Sequence, residues 1–242
     1  MSSIKPGTIR DCRDFINKYK DIDNFKVYGN QKYEYAYISD LYADAYVDWD
    51  KSLIHVANID IEVGSVKRFL IREWLMNLLL LLHCWMHNGI FVYGCGEYTN
   101  TRSDVLYIRC SDEIDLIKKF LDRWTLNYPD IITGWNIKFF DIPYLVNRIT
   151  KVLGETQASR ISPWHKITTR TTYIMGKEQI AYSLLGVATL DYIELYKKFV
   201  LKPQESYSLN HICHEELGER KLSYEEYGNS SQPIQTRLSK VH

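Results

Sequence analysis

Val56-Ala57-Asn58-Ile59-Asp60-Ile61-Glu62-Val63 is the stretch whose reading decides the fold. Apolar residues alternate with Asn58, Asp60 and Glu62, the period of two that marks a β-strand with one apolar face. With Ile61 between them, the Asp60 and Glu62 carboxylates leave the same face, where paired hard oxygen donors suit a divalent cation. Acidic pairs on strands are also common as solvated edge charges, so the pair needs a second acidic element before it becomes a site.

That element lies downstream, in Ile131-Ile132-Thr133-Gly134-Trp135-Asn136-Ile137-Lys138-Phe139-Phe140-Asp141-Ile142-Pro143-Tyr144. An apolar strand ends at Gly134, and Asp141 stands at the entry of an amphipathic segment, Ile142 to Leu153, with Pro143 in its first turn. Alone, Asp141 reads equally well as an N-cap. The joint pattern favours a functional reading: Asp-x-Glu on a strand, then Asn-x-x-x-Phe-Asp between a strand and a helix.

Together these motifs resemble the Exo I and Exo II motifs of the 3′-to-5′ proofreading exonuclease in family B DNA polymerases. Similar runs follow in the order of the T-even bacteriophage and cyanophage branch: Tyr35 to Asp40, Ile132 to Asn136, Asn147-Arg148, Leu153 to Glu155, Arg160 to Pro163 and Leu190 to Phe199. The resemblance implies an α/β (α+β) ribonuclease H-like exonuclease fold, a mixed sheet flanked by helices. It assigns residues 1–52 to part of an N-terminal domain and 53–242 to an exonuclease domain incomplete at its C-terminus.

The same resemblance implies two Mg²⁺ or Mn²⁺ ions, with Asp60 bridging both. Glu62 would bind the nucleophile-side ion and help orient water, and Asp141 would complete the shell of the other. Asn136 and Phe140 would contact a frayed 3′ end, Phe140 as an apolar or stacking wedge. Lys221 stands where the family often has a basic residue near the scissile phosphate, although it reads nearly as well as a solvated lysine. Lys166 to Leu185, with Gly176-Lys177 at its centre, reads as a β-hairpin. In the family a hairpin here helps separate primer from template, so Tyr173 to Ile180, including Gly176, would contact DNA. The implied partner is DNA, as a single-stranded 3′ end or primer-template; a sliding clamp would belong to the full-length polymerase, and no membrane is implied.

Composition sets looser bounds. The chain has 242 residues, enough for one large domain or somewhat more. Thirty basic and thirty acidic residues cancel, which is compatible with acid gathered in a metal site and base around a groove. Five cysteines without a Cys-x-x-Cys pair favour a reduced, cytoplasmic protein, and Met1 to Tyr19 has no signal-peptide core. Aromatic side chains are abundant and are expected mostly in packing.

Element by element, a helix is expected over Thr8 to Tyr19 and a strand over Tyr33 to Ser39. Further strands are expected at Leu53 to Val63, Ile90 to Gly94, Val105 to Cys110 and Ile131 to Trp135, with helices at Asp112 to Asn127 and Asp141 to Leu153. Asp191, ahead of Tyr192 to Phe199, reads as a structural helix cap.

Residues 69–88 break the resemblance. Their apolar run is shorter than the roughly 20 residues of a membrane span, and a buried helix is the ordinary reading. His83, Cys84 and His87 have helical spacing compatible with metal ligation, without a further ligand pattern. A frameshift is the third reading. Across codon junctions, Met76/Asn77 yields Glu and His83 to His87 yields Leu-Leu-Asp-Ala, which restores a family-like alternating strand. Two compensating single-base insertions or deletions near codons 69 and 88 would produce it.

Resemblance also fades after Asn229, where a shifted frame or an ordinary disordered tail rich in Ser, Gln and Lys would account for the sequence. The family's third motif, Tyr-x-x-x-Asp, does not follow Lys221. The expectation is therefore an exonuclease fragment with little activity as written. A single-strand-binding fragment without chemistry is the alternative, and a stand-alone nuclease of the same superfold would need a complete set of acids.

Overall fold

A computed structural model describes residues 4, 5, 7–28, 33–43, 45, 46, 48, 50–64, 78–86, 89–174, 176–200 and 202–220. The chain divides into two units, Met1–Lys51 and Ser52–His242.

In the first unit, α1 (Ile9–Tyr19) starts at Thr8, whose side chain and backbone form a reciprocal capping box with Asp11. Phe15, Tyr19 and Phe25 stack along one side. The strand expected at Tyr33–Ser39 is instead α2 (Tyr33–Leu41). The spacing of its tyrosines mimics strand alternation, but no strand is present among the described residues of this unit to accept its hydrogen bonds. A helix satisfies its own backbone, and here it leaves Tyr35, Tyr37 and Ile38 exposed.

A 3₁₀ turn, Lys51–Leu53, spans the boundary, and the second unit continues with β1 (Val56–Gly64), β2 (Leu78–Met86), β3 (Gly89–Gly94) and β4 (Val105–Arg109). Next come α3 (Glu113–Leu126), β5 (Ile131–Gly134), α4 (Asp141–Leu153) and α5 (Glu155–Ser159). The hairpin strands β6 (Ile167–Ile174) and β7 (Lys177–Leu184) precede β8 (Ala188–Asp191), α6 (Tyr192–Phe199) and α7 (Leu209–Leu217). Six strands form one mixed sheet in the order β4-β3-β2-β1-β5-β8, while β6 and β7 pair as a separate antiparallel hairpin. Strands β1, β5 and β8 run parallel, and β2 lies antiparallel to both β1 and β3. This is the expected mixed sheet flanked by helices.

The apolar run after position 77 is a strand, not the buried helix of its ordinary reading. Leu82 and Cys84 point into the core opposite Ile61 and Ile59 of β1, so alternation emerges only where neighbouring strands supply it. Residues 69–77, 87 and 88 lie outside the described residues, and with them His87 of the His83, Cys84, His87 reading.

Helix α3 is capped by Asp112, which accepts from the Asp115 N–H. It buries Leu116, Ile117, Phe120, Leu121 and Trp124 on the sheet-facing stripe. The Trp124 indole donates to the Ile161 carbonyl at 2.8 Å. Helix α4 adds Ile142, Leu145, Val146 and Ile149 to the same core. The two helices are tied by a buried fork: Arg148 Nε and Nη2 donate to Glu113 Oε1 and Oε2, each at 2.6 Å. Such a pair fixes helix register while satisfying charges that could not be buried singly.

Candidate metal centre

Along β1, Ala57, Ile59 and Ile61 are buried while Asn58, Asp60 and Glu62 are exposed. The alternation therefore places both carboxylates on one face. The parallel register of β1 with β5 runs to Asn58 opposite Thr133. At the next residue the chains approach so closely that a Cβ on Gly134 would stand 2.7 Å from the Ile59 carbonyl oxygen and 2.4 Å from Ile137 Cγ2. Glycine is required there by contact with backbone. The loop of residues 135–140 thus leaves β5 beside the middle of β1, next to Ile59 and so to Asp60.

Asp191 clamps this loop from the end of β8. Its Oδ1 accepts from the Asn136 N–H at 2.9 Å and its Oδ2 from the Lys138 N–H at 3.0 Å. It also caps α6 through the Ile193 N–H. Asn136 itself takes a left-handed conformation, φ 65°, which Asn tolerates better than most residues. The 135–140 loop and Asp191 thus lie at the carboxyl ends of β5 and β8, the usual place for a ligand in an open sheet.

Asp141 is the first residue of α4. Phe140 occupies the N-cap position and makes no side-chain capping bond, so the simple N-cap reading of Asp141 does not hold. Asp141 is 3% exposed, and its buried Oδ1 has no hydrogen-bond partner. Burial first and the Asp60 charge second push its pKa up to about 7, against the pull of the Asp141 and Ile61 backbone N–H groups, with Asp191 adding a smaller upward push. A buried carboxylate oxygen without a proton donor, facing a second carboxylate, has the chemistry to receive a hard divalent cation. Asp60 and Asp141 therefore fit such an ion.

Three ligands do not yet converge. Among the described residues no group of three His, Cys, Asp or Glu side chains could hold a metal. Glu62 lies where the pairing of β1 with β2 shifts register, between Glu62 and Val63.

The remaining candidates fall in different places. Asn136 is exposed on the 135–140 loop, and Phe140 is half-buried against the core. Tyr173 is 72% exposed on β6. Gly176 sits in the turn after it with φ 75° and open space around it. Lys221 lies outside the described residues. Sequence reasoning missed the loop-clamping role of Asp191, recognising only its cap, because its other partners are more than fifty residues away.

The chain belongs to family B DNA polymerases, through their exonuclease domain: the model of "DNA polymerase family B, exonuclease domain" matches residues 86–212. That span contains Asn136, Phe140, Asp141 and the hairpin, whereas Asp60 and Glu62 precede it. Among its relatives, the chain is 31% identical to the DNA-directed DNA polymerase of Escherichia phage RB69 and 29% identical to that of Enterobacteria phage T4, each over 90% of this chain. It spans 27% of the length of either. A DNA polymerase delta catalytic subunit from Schizosaccharomyces pombe is 33% identical over 38% of the chain and 9% of its own length.

Proposed function

We propose that this chain is the 3′-to-5′ proofreading exonuclease portion of a phage-type DNA-directed DNA polymerase, acting on single-stranded 3′ ends in the host cytoplasm. The observation that carries this reading is the charge of Asp60, on β1, acting on the buried Asp141, whose Oδ1 has no hydrogen-bond partner. Residues 1–52 would be part of an N-terminal domain and 53–242 the nuclease domain. Asp60 and Asp141 would hold Mg²⁺ or Mn²⁺, with Glu62 as a further ligand. Two such ions supply water activation and stabilisation of the leaving 3′ oxygen in phosphodiester hydrolysis.

The side chains contribute position and exclusion. Asn136 is held in place by its backbone bond to Asp191 and presents an amide to the 3′-terminal nucleotide. Phe140 offers an apolar face on which an unpaired base stacks. Tyr173 and Gly176, at the end of the hairpin, would meet the strand junction, and Lys221 would neutralise the scissile phosphate.

The absence of a three-ligand group among the described residues favours low activity and a second reading, a single-strand-binding fragment without chemistry. Incubating the chain with a 5′-labelled single strand and Mg²⁺ tests both. Little release of mononucleotides is expected. Robust Mg²⁺-dependent release abolished by Asp60→Ala would overturn the low-activity reading. Oligonucleotide binding that persists unchanged in EDTA would favour the binding fragment.

A further inference from the structure

A cavity of about 410 Å³ lies at the base of the hairpin, and neither Asp60 nor Asp141 lines it. Thr168 and Arg170 of β6 and Ser183 of β7 form one wall, sharing a hairpin face because their register positions alternate together. Thr189 of the sheet-edge strand β8, Lys138 of the 135–140 loop and Tyr182 close it.

The lining is chemically one-sided. It holds two cations and four hydroxyls but no carboxylate. Lys138 is already engaged, its Nζ 2.6 Å from Glu194 Oε1, and the Tyr182 hydroxyl donates to Asn147 Oδ1 at 2.9 Å. Arg170 is exposed and has no ion-pair partner among the described residues. The hydroxyls of Thr168, Ser183 and Thr189 likewise make no hydrogen bond there, so donors outnumber acceptors around the opening. A guanidinium with spare N–H groups beside free hydroxyls matches a tetrahedral oxyanion, for which arginine's planar fork is suited.

The cavity also shares the 135–140 loop with the acidic centre, Lys138 standing two residues from both Asn136 and Phe140. We infer that this cavity is a phosphodiester subsite, in which Arg170 takes a backbone phosphate of a single-stranded nucleic acid. The inference rests on the proposed DNA-binding function, and places a contact on the strand beyond its terminal nucleotide.

The test uses the full chain in EDTA with fluorescently labelled single-stranded oligothymidylate, titrated across a salt series. Arg170→Ala is expected to weaken binding by about three- to tenfold and to make the log–log salt slope shallower by about 0.7, the value of one single-strand phosphate contact. Arg170→Lys should restore most of the slope, since it keeps the charge. Because Arg170 is exposed, circular dichroism should show an unchanged fold, and Arg170→Glu gives an independent, larger loss. Unchanged affinity and slope in both Arg170→Ala and Arg170→Glu, with wild-type binding intact, would overturn the subsite while leaving the DNA reading standing. Failure of the wild-type chain to bind at any salt concentration would overturn both. Inorganic phosphate is the second probe: Arg170-dependent binding of phosphate alongside Arg170-independent binding of the strand would make this a free-anion site and overturn the assignment to a strand.

Discussion

Asp141 sets burial against charge, and the conflict has a measurable sign. In the unfolded chain its carboxyl titrates in the ordinary acidic range, whereas in the fold its pKa is pushed up to about 7. Below the ordinary pKa both states are protonated and stability is complete. As pH rises towards 7 the unfolded state ionises first, so stability falls, by at most about 4 kcal/mol, and then levels off. In EDTA, Asp141→Asn should therefore remove a loss of stability that wild type shows between pH 4 and 7 in urea titrations. Comparing the two chains cancels the carboxylates that do not interact with Asp141 and leaves its own titration together with its coupling to Asp60. Mg²⁺ at pH 8 should raise the melting temperature of wild type and leave Asp141→Asn unmoved; superimposable pH profiles would mean that the carboxyl is solvated. Gly134 offers a second residue-scale check. Its missing Cβ leaves room for the Ile59 carbonyl, so Gly134→Ala should push β1 from β5, cost about 1–3 kcal/mol, and weaken Mg²⁺ binding at Asp60. Retention of wild-type stability and Mg²⁺ affinity would exclude that coupling.

At the scale of elements, the Glu113–Arg148 fork decides how α3 meets α4. Both side chains are nearly buried, at 7% and 10% exposure, so removing either strands the other charge. Arg148→Ala should cost about 3–5 kcal/mol, while a double replacement, Glu113→Met with Arg148→Leu, should recover most of it. Equal losses for the single and double variants in denaturant titrations would contradict the account. The strands β3, β4 and β5 and the helices α3 and α4 are legible in sequence to within a residue or two, because alternation, the Asp112 cap and amphipathic spacing are local signals. The hairpin is legible for the same reason. Strand β2 is not, since a run of leucines has no period until β1 and β3 give it faces, and α2 was hidden by tyrosines spaced as in a strand. In the site, the facing of Asp60 and Glu62 follows from alternation, but the burial of Asp141 and the clamp of Asp191 arise only from chain crossings.

At the scale of the whole molecule, a formal charge of zero conceals local separation: acid on β1 and at the start of α4, and at the hairpin an arginine with no ion-pair partner among the described residues. No composition-level signal could reveal it, because the 135–140 loop and β8 bring the two groups together from positions far apart in sequence. The core has an equally uneven distribution. Every buried apolar residue described lies between Ala57 and Ile212, and α1 buries none of its residues. The energy of apolar burial, about 25 cal/mol per Å², therefore accrues to the second unit, and the first contributes little to its cooperative unfolding. A chain beginning at Ser52 should fold, melt within about 2 °C of the longer chain, and keep the same amides slow to exchange in β1, β3, β5, α3 and α4. Thermal unfolding followed by circular dichroism, with hydrogen exchange on both chains, measures this directly. A fall of more than about 5 °C, or loss of protection in β1, would show that residues 1–51 support the sheet and that the domain boundary lies elsewhere.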